Sequence, residues 1–476
     1  MTTGDSPVDL HRMLLPVRSR IAKIRDLLRY SLWFVPILTI ILGVLAGILL
    51  TSRAGRSAGA ETAPAGALAE LLAPVLPDNP DTLRQVLRLI AGSMITVATT
   101  AFSITIVALQ LASSQLGPRL LRNFVRDRTN QFVFGVLLAT FSYALVVLQR
   151  IPEGDAVLAL APAYAAALLL TALSVLFFVV FIHHTATSVQ TDAVIAGVGR
   201  ELDFSLGRLF PMTIGEAPPR FRRGEDGAEV QRFPGARRID WATAQPVGTR
   251  NSGYIQALDG RFLLAFAERH DLVVRLERRP GDFVERGSTV ALVWPGDRIP
   301  PRRGRRIREV FIIGNQRTQQ QDVAFVFHQL VEIALRALSP GINDSFTAIR
   351  CIDRLTDALI YVGENAFPSP YRYGSDGELR VIAQPLSFSV VLSLVFNPIA
   401  ESAVDRSAVV LHLFDAVAKI ARRAYSDESR KALDSLADYL LYLSQTSSAY
   451  AATEERILAA YSRVSAVLRN PPGETP

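Results

Sequence analysis

Four apolar stretches crowd into the first 182 residues, and none of comparable length follows. They cover residues 30–51, 89–111, 132–148 and 160–182. A helix needs roughly 20 apolar residues to cross a bilayer, and the third run lies near the lower limit of about 17. This spacing predicts an α-helical membrane bundle of four transmembrane helices, with the rest of the chain on one side of the membrane.

Arginine indicates which side. The segment before residue 30 holds Arg12, Arg18, Arg20, Lys23, Arg25 and Arg29 against Asp5, Asp9 and Asp26. The loop between the second and third runs holds Arg119, Arg122, Arg126 and Arg128 against Asp127, and the other two loops lack that excess. Positive loops stay on the cytoplasmic side. Both termini are therefore expected in the cytoplasm of a bacterial inner (plasma) membrane protein. A cleaved signal peptide is the alternative for the first run, but a charged leader of 29 residues and so long an apolar stretch fit it poorly.

Only three lysines occur, Lys23, Lys419 and Lys431. No Gly-Lys-Ser/Thr loop exists to cradle a nucleotide phosphate, and no lysine in the central region is available for Schiff-base chemistry. Lone Cys351 excludes an intrachain disulfide and a cysteine zinc cluster. It falls in an expected helix over residues 349–361, where a buried small apolar role suits it. The net charge of +7 is modest. The expectations are no enzyme, no cofactor, no metal and no nucleic acid; membrane lipid and further copies of the chain are the expected partners, and no protein partner can be named.

The second run has an unusual face. At 100° per residue Gly92, Thr96, Thr99, Ser103 and Gln110 fall within about 40° of one line, with Ile106 and Val107 interrupting it. Small and hydroxylated residues let helices pack closely. The same residues suit the lining of a permeation path with an apolar constriction. Both readings stand. No run carries a central charge, which argues against a proton-coupled transporter or a voltage sensor.

Past Gly117-Pro118 a short amphipathic helix can restart, placing Arg119, Arg122 and Arg126 against anionic headgroups, or the stretch is simply a basic loop. His183-His184 closes the fourth run, and adjacent histidines point about 100° apart, unlike an i, i+4 metal pair. Helical periodicity continues through residue 198 toward Pro211, which predicts one helix running on from the span.

Beyond it, residues 183–250 read as a helix extension and linker, 251–308 as a small β module, and 309–476 as a mainly helical cytoplasmic domain, so this part is α+β. The stretch 280–293 resembles the half-motif of biotinyl/lipoyl-type barrel-sandwich hybrids, with Phe283 and Val284 plugging a small core. The carrier lysine of those modules is missing, so a structural or docking role is implied. Arg298, Arg302, Arg303, Arg305, Arg306 and Arg308 follow, as a solvated loop or a contact for anionic lipid or an acidic partner.

Thr318 and Gln321 have capping-box spacing ahead of a periodic helix ending near Leu338. Pro340-Gly341 and Asn343-Asp344 then make a tight turn, with Asp344 or Ser345 capping the next helix. Arg317 and Asp322 sit at the other end of this helix, too far away to share a site with Asn343 and Asp344 in one subunit. Residues 402–468 read as two or three amphipathic helices, with Val409, Leu413, Val417 and Ile420 on one face.

The run GNQRTQQQDVAFVFHQLVEIALRALSPGINDSFTAI resembles the signature of a bacterial predicted membrane protein family, domain of unknown function 2254. SSQLGPRLLRNFVRDRTNQ and FFVVFIHHTATSVQ match it in the membrane half. Ser345 stands where the family pattern has Pro, which loosens the start of the helix. The resemblance implies a multi-spanning inner-membrane protein and brings no activity, substrate or catalytic residue with it.

The residues support two functional expectations. One is a homo-oligomeric channel-like protein with a cytoplasmic regulatory domain. The other is a non-transporting scaffold or sensor that binds a protein or lipid through that domain.

Overall fold

The computed structural model describes residues 33–57, 79–116, 127–151, 160–188, 190–209, 239–318, 321–364, 369–384, 386–424, 426–447 and 450–469. The chain divides into two compact units, Met1–Ala193 and Val194–Pro476.

Among the described residues, four helices are long and apolar enough to cross a membrane, and all lie in the first unit. They are α1 (Phe34–Ser57), α2 (Pro80–Leu116), α3 (Arg128–Gln149) and α4 (Ala161–Ser188). Helices α2 and α3 include their expected apolar runs whole, while α1 begins four residues and α4 one residue into theirs. Helix α3 is central: 56% of its apolar window is buried, against 17–28% in the others. Gly43 and Gly47 of α1 bring the backbones of α1 and α3 together. A Cβ on Gly43 would lie 2.7 Å from the Ala139 carbonyl oxygen, and one on Gly47 would lie 2.9 Å from Val146 Cγ1. Gly135 of α3 answers from the other side, against Thr39. Lipid tails are as apolar as leucine, so close backbone packing of this kind holds membrane helices together.

Hydroxyls tie α3 to α4. Tyr143 Oη donates to Ala163 O at 2.8 Å, and Thr140 Oγ1 lies 2.9 Å from Ser174 Oγ, all buried. On the α2 side, Leu83, Leu87, Ala91, Met94, Ala98 and Ala101 form the buried stripe. At one end Asp127 caps α3 by accepting from Thr129 N at 2.9 Å, and its other oxygen lies 2.5 Å from His184 Nε2.

The expected continuous extension of the fourth span is not found. Helix α4 is described as far as Ser188, Gln190 is a bend outside any helix, and α5 (Thr191–Leu209) follows. Thr187 and Ser188 turn their hydroxyls back onto carbonyls of the last turn, and hydroxyls bonding their own backbone in this way weaken a helix.

The second unit is α+β. The strands β1 (Gln245–Gly248), β2 (Gly253–Leu258), β3 (Val273–Leu276), β4 (Phe283–Val284), β5 (Thr289–Trp294), β6 (Phe311–Gly314), β7 (Tyr371–Tyr373) and β8 (Leu379–Ile382) form two sheets. One runs β1-β5-β3-β8-β7 and the other β4-β2-β6. The β3–β8 pairing is parallel and the remaining pairs are antiparallel. The described strands form no closed barrel, and the two strands of the barrel-sandwich half-motif, β4 and β5, go to different sheets. Helix α6 (Gly260–Arg269) is capped by Asp259, which accepts from Phe262 N at 3.0 Å.

The arginine cluster expected as a loop contains helix α7 (Pro301–Glu309). Pro301 opens it at a position suited to proline, Ile307 is buried, and Arg308 donates to Gly248 O at 2.6 Å.

The remaining helices are α8 (Val323–Ala337), α9 (Ser345–Glu364), α10 (Phe388–Ser402), α11 (Ser407–Ala421), α12 (Asp427–Gln445) and α13 (Tyr450–Arg469). Helix α8 packs on α9 and α10, α9 on α11, and α11 on α13. Val409, Leu413, Val417 and Ile420 are all buried on α11, as their spacing predicts. Cys351 of α9 is fully buried, and burial pushes its thiol up to about 12. Only the thiolate attacks alkylating reagents. We therefore expect negligible labelling of the native protein by iodoacetamide at pH 8, and complete labelling after denaturation, as measured by intact mass.

Candidate functional site

Helix α2 turns its apolar stripe toward α3 and its polar stripe away from it. Gly92, Thr96, Thr99, Ser103 and Gln110 are all exposed on this chain, as are Ile106 (46%) and Val107 (55%). Packing among the described residues does not account for them. Thr96 donates to Gly92 O at 2.9 Å, Thr99 to Ile95 O at 2.9 Å and Ser103 to Thr99 O at 3.0 Å. Each hydroxyl proton is spent within the helix, while the oxygen lone pairs remain on the outer face. A Cβ on Gly92 would meet nothing within 4 Å. Arg119, Arg122 and Arg126 lie outside the described residues.

The second constellation is built around Asp322. The expected capping box is not formed there. Asp322 itself is the N-cap of α8, accepting from Phe325 N at 3.1 Å. Its other oxygen accepts from Arg317 Nε at 2.7 Å, and the carboxylate is 3% exposed. Arg317 Nη1 also lies 3.2 Å from His328 Nδ1, six residues past Asp322. Gln321 is engaged elsewhere. Its amide accepts from Leu258 N at 2.8 Å and donates to Leu258 O at 3.1 Å, as a neighbouring strand would. Thr318 donates to Gln256 O at 3.1 Å.

Gly281 presses on this pair from the turn between β3 and β4. It adopts φ +98°, and a Cβ there would lie 2.4 Å from Asp322 Oδ2. Arg279, Pro280, Gly281 and Asp282 meet Arg317, Asp322, His328 and Leu394 around a cavity of about 250 Å³.

Asn343 and Asp344 belong to the opposite end of α8. Its 15 residues span about 22 Å, shorter than the periodicity suggested but still too long for one site. Asn343 has φ +50° and its Oδ1 accepts from Arg406 Nε at 3.2 Å. Asp344 caps α9, accepting from Thr347 N at 3.0 Å and Thr347 Oγ1 at 2.6 Å; these bonds hold its carboxyl below the usual carboxylate range. Pro340, Gly341 and Ile342 are exposed in the intervening turn, and Phe346 beside it is 80% exposed. Among the described residues no group of three His, Cys, Asp or Glu side chains could hold a metal ion.

Comparison with known proteins agrees with a membrane role. The family model described as "Predicted membrane protein (DUF2254)" matches residues 29–419. Uncharacterized proteins of Mycobacterium tuberculosis strain CDC 1551 (MT1328) and strain H37Rv (Rv1290c) are each 29% identical over 444 residues, covering 86% of this chain and 80% of theirs. An uncharacterized protein of Mycobacterium bovis (Mb1321c) matches to the same extent. No solved structure matches the chain.

Proposed function

Since this chain belongs to the DUF2254 family of predicted membrane proteins, we propose that it is a homo-oligomeric, channel-like protein of the bacterial inner membrane, with both termini and the C-terminal unit in the cytoplasm. The observation that carries this reading is the outward direction of the α2 stripe. Gathered around an axis with other copies, Thr96, Thr99, Ser103 and Gln110 would present lone pairs to a water path. Ile106 and Val107 would close it with an apolar ring, a constriction that gates by dewetting. The C-terminal unit would then regulate, and it takes no catalytic role.

Planar-bilayer recording of the purified protein tests this. We expect a conductance that falls several-fold in Thr99→Val/Ser103→Val and rises in Ile106→Ser. Silence under tension, voltage and ion gradients, with the variants equally silent in cells, would sink it.

The scaffold reading draws on a different observation. Ile342 (45%) and Phe346 (80%) project from the signature turn as an apolar tip, which suits docking to a protein or lipid. A monomeric membrane part together with a stoichiometric partner captured by the full-length protein would favour it.

A further inference from the structure

The cavity beside Asp322 has more hydrogen-bond donors than the protein itself uses. Two carboxylates line it, and both are committed: Asp322 to Phe325 N and Arg317 Nε, and Asp282 to the backbone N of Arg279 at 3.0 Å. The guanidiniums are committed unequally: Arg317 is held by Asp322, lies against His328 and sits 5.7 Å over the Phe325 ring, while Arg279 is held only loosely. Arg279 reaches only Asp282, Nε to Oδ1 at 3.7 Å, so among the described residues neither of its Nη atoms has an acceptor. Arg317 uses Nε and Nη1, and its Nη2 likewise has no acceptor among the described residues. Val323 and Ala324, the first residues of the 15-residue helix α8, line the same space and bring the positive end of its dipole there. Pro280, Leu386 and Leu394 supply an apolar wall.

We propose that this cavity binds a small phosphate-bearing anion. The donors outnumber what a carboxylate's two oxygens can serve, and they belong to two segments that line the same cavity, which suits a tetrahedral oxyanion. Guanidinium–phosphate bonds are charge-assisted and directional. The apolar wall accommodates a short organic body. The site stands whether or not the membrane unit conducts, because all its residues lie within the second unit.

The test is calorimetric titration of the full-length protein in detergent, at constant ionic strength set with sodium chloride. Three probes are used: inorganic phosphate, glycerol 3-phosphate and dihexanoyl phosphatidic acid. Saturable binding of either of the first two identifies a soluble ligand. Binding of the third alone identifies a lipid headgroup. The decisive variant is Arg279→Gln, because Arg279 is one-third exposed and supports no helix cap. It should weaken binding at least fivefold while leaving the thermal midpoint without ligand unchanged; Arg317→Lys, which keeps the charge beside Asp322, should weaken it less. No saturable binding of any probe, or a smaller change in Arg279→Gln, overturns the proposal.

Discussion

Replacing Gly43 by leucine is expected to prevent assembly of the membrane unit. The new Cβ would stand 2.7 Å from a backbone oxygen of α3, which no rotamer change can relieve. Overpacking costs about 1–3 kcal/mol where side chains can give way. Here the helices themselves must separate, so we expect about 3 kcal/mol or more, read as loss of monodisperse protein after extraction and a collapsed thermal midpoint. Gly92→Leu is the matched comparison. It adds the same side chain to another membrane helix where a Cβ meets nothing, so folding and yield should be unchanged. Equal damage from both would refute the close α1–α3 crossing.

Gly281→Ala carries the second large effect. Alanine must adopt φ +98° and also place its Cβ on the Asp322 carboxylate. The first cost is about 1 kcal/mol or somewhat more. The second displaces a buried capping carboxylate from its guanidinium, and breaking such a pair costs about 3–5 kcal/mol. Gly287→Ala separates the two terms. Its φ of +89° is similar, yet nothing lies within 4 Å, so it should lose only the conformational part. Denaturant unfolding of the two variants, compared at one temperature, should show Gly281→Ala the worse by at least about 2 kcal/mol. Equal losses would mean that Asp322 yields freely.

Hydropathy alone located the four helices long and apolar enough to cross a membrane, because some twenty apolar residues in a row have few alternatives in water. The centrality of α3 was not legible: its apolar window, at a mean hydropathy of 2.1, is unremarkable beside 2.6 for α1 and 2.8 for α4. The Gly43-x-x-x-Gly47 spacing was the available clue, since small residues four apart mark a close helix contact. In the second unit, local signals held where the deciding bonds were local. Strands β2 and β3, helix α6 and the Asp344 cap all follow from neighbouring residues. Local reading failed where a distant group intervened. Thr318 and Gln321 have the spacing of a capping box, but Gln256 and Leu258, about sixty residues upstream, engage both side chains and leave the cap to Asp322. The β7–β8 hairpin joins β3 in parallel across roughly a hundred residues, which no local pattern records. Gly281 reads only as part of the 280–293 half-motif and Arg279 carries no local signal, because the segments lining the cavity are far apart in sequence.

The length of α2 has a mechanical consequence. Its 37 residues include the apolar run 89–111, 23 residues or about 35 Å of helix. A typical hydrocarbon core is about 30 Å thick. The excess must be taken up by leaning the helix over or by pushing its end among the headgroups, and either response changes with membrane thickness. Thinning the bilayer would drive the helix toward a steeper lean and thickening would let it stand up. The stripe of Thr96, Thr99 and Ser103 rides on that helix, so its direction is tied to the lipid around it as well as to the protein.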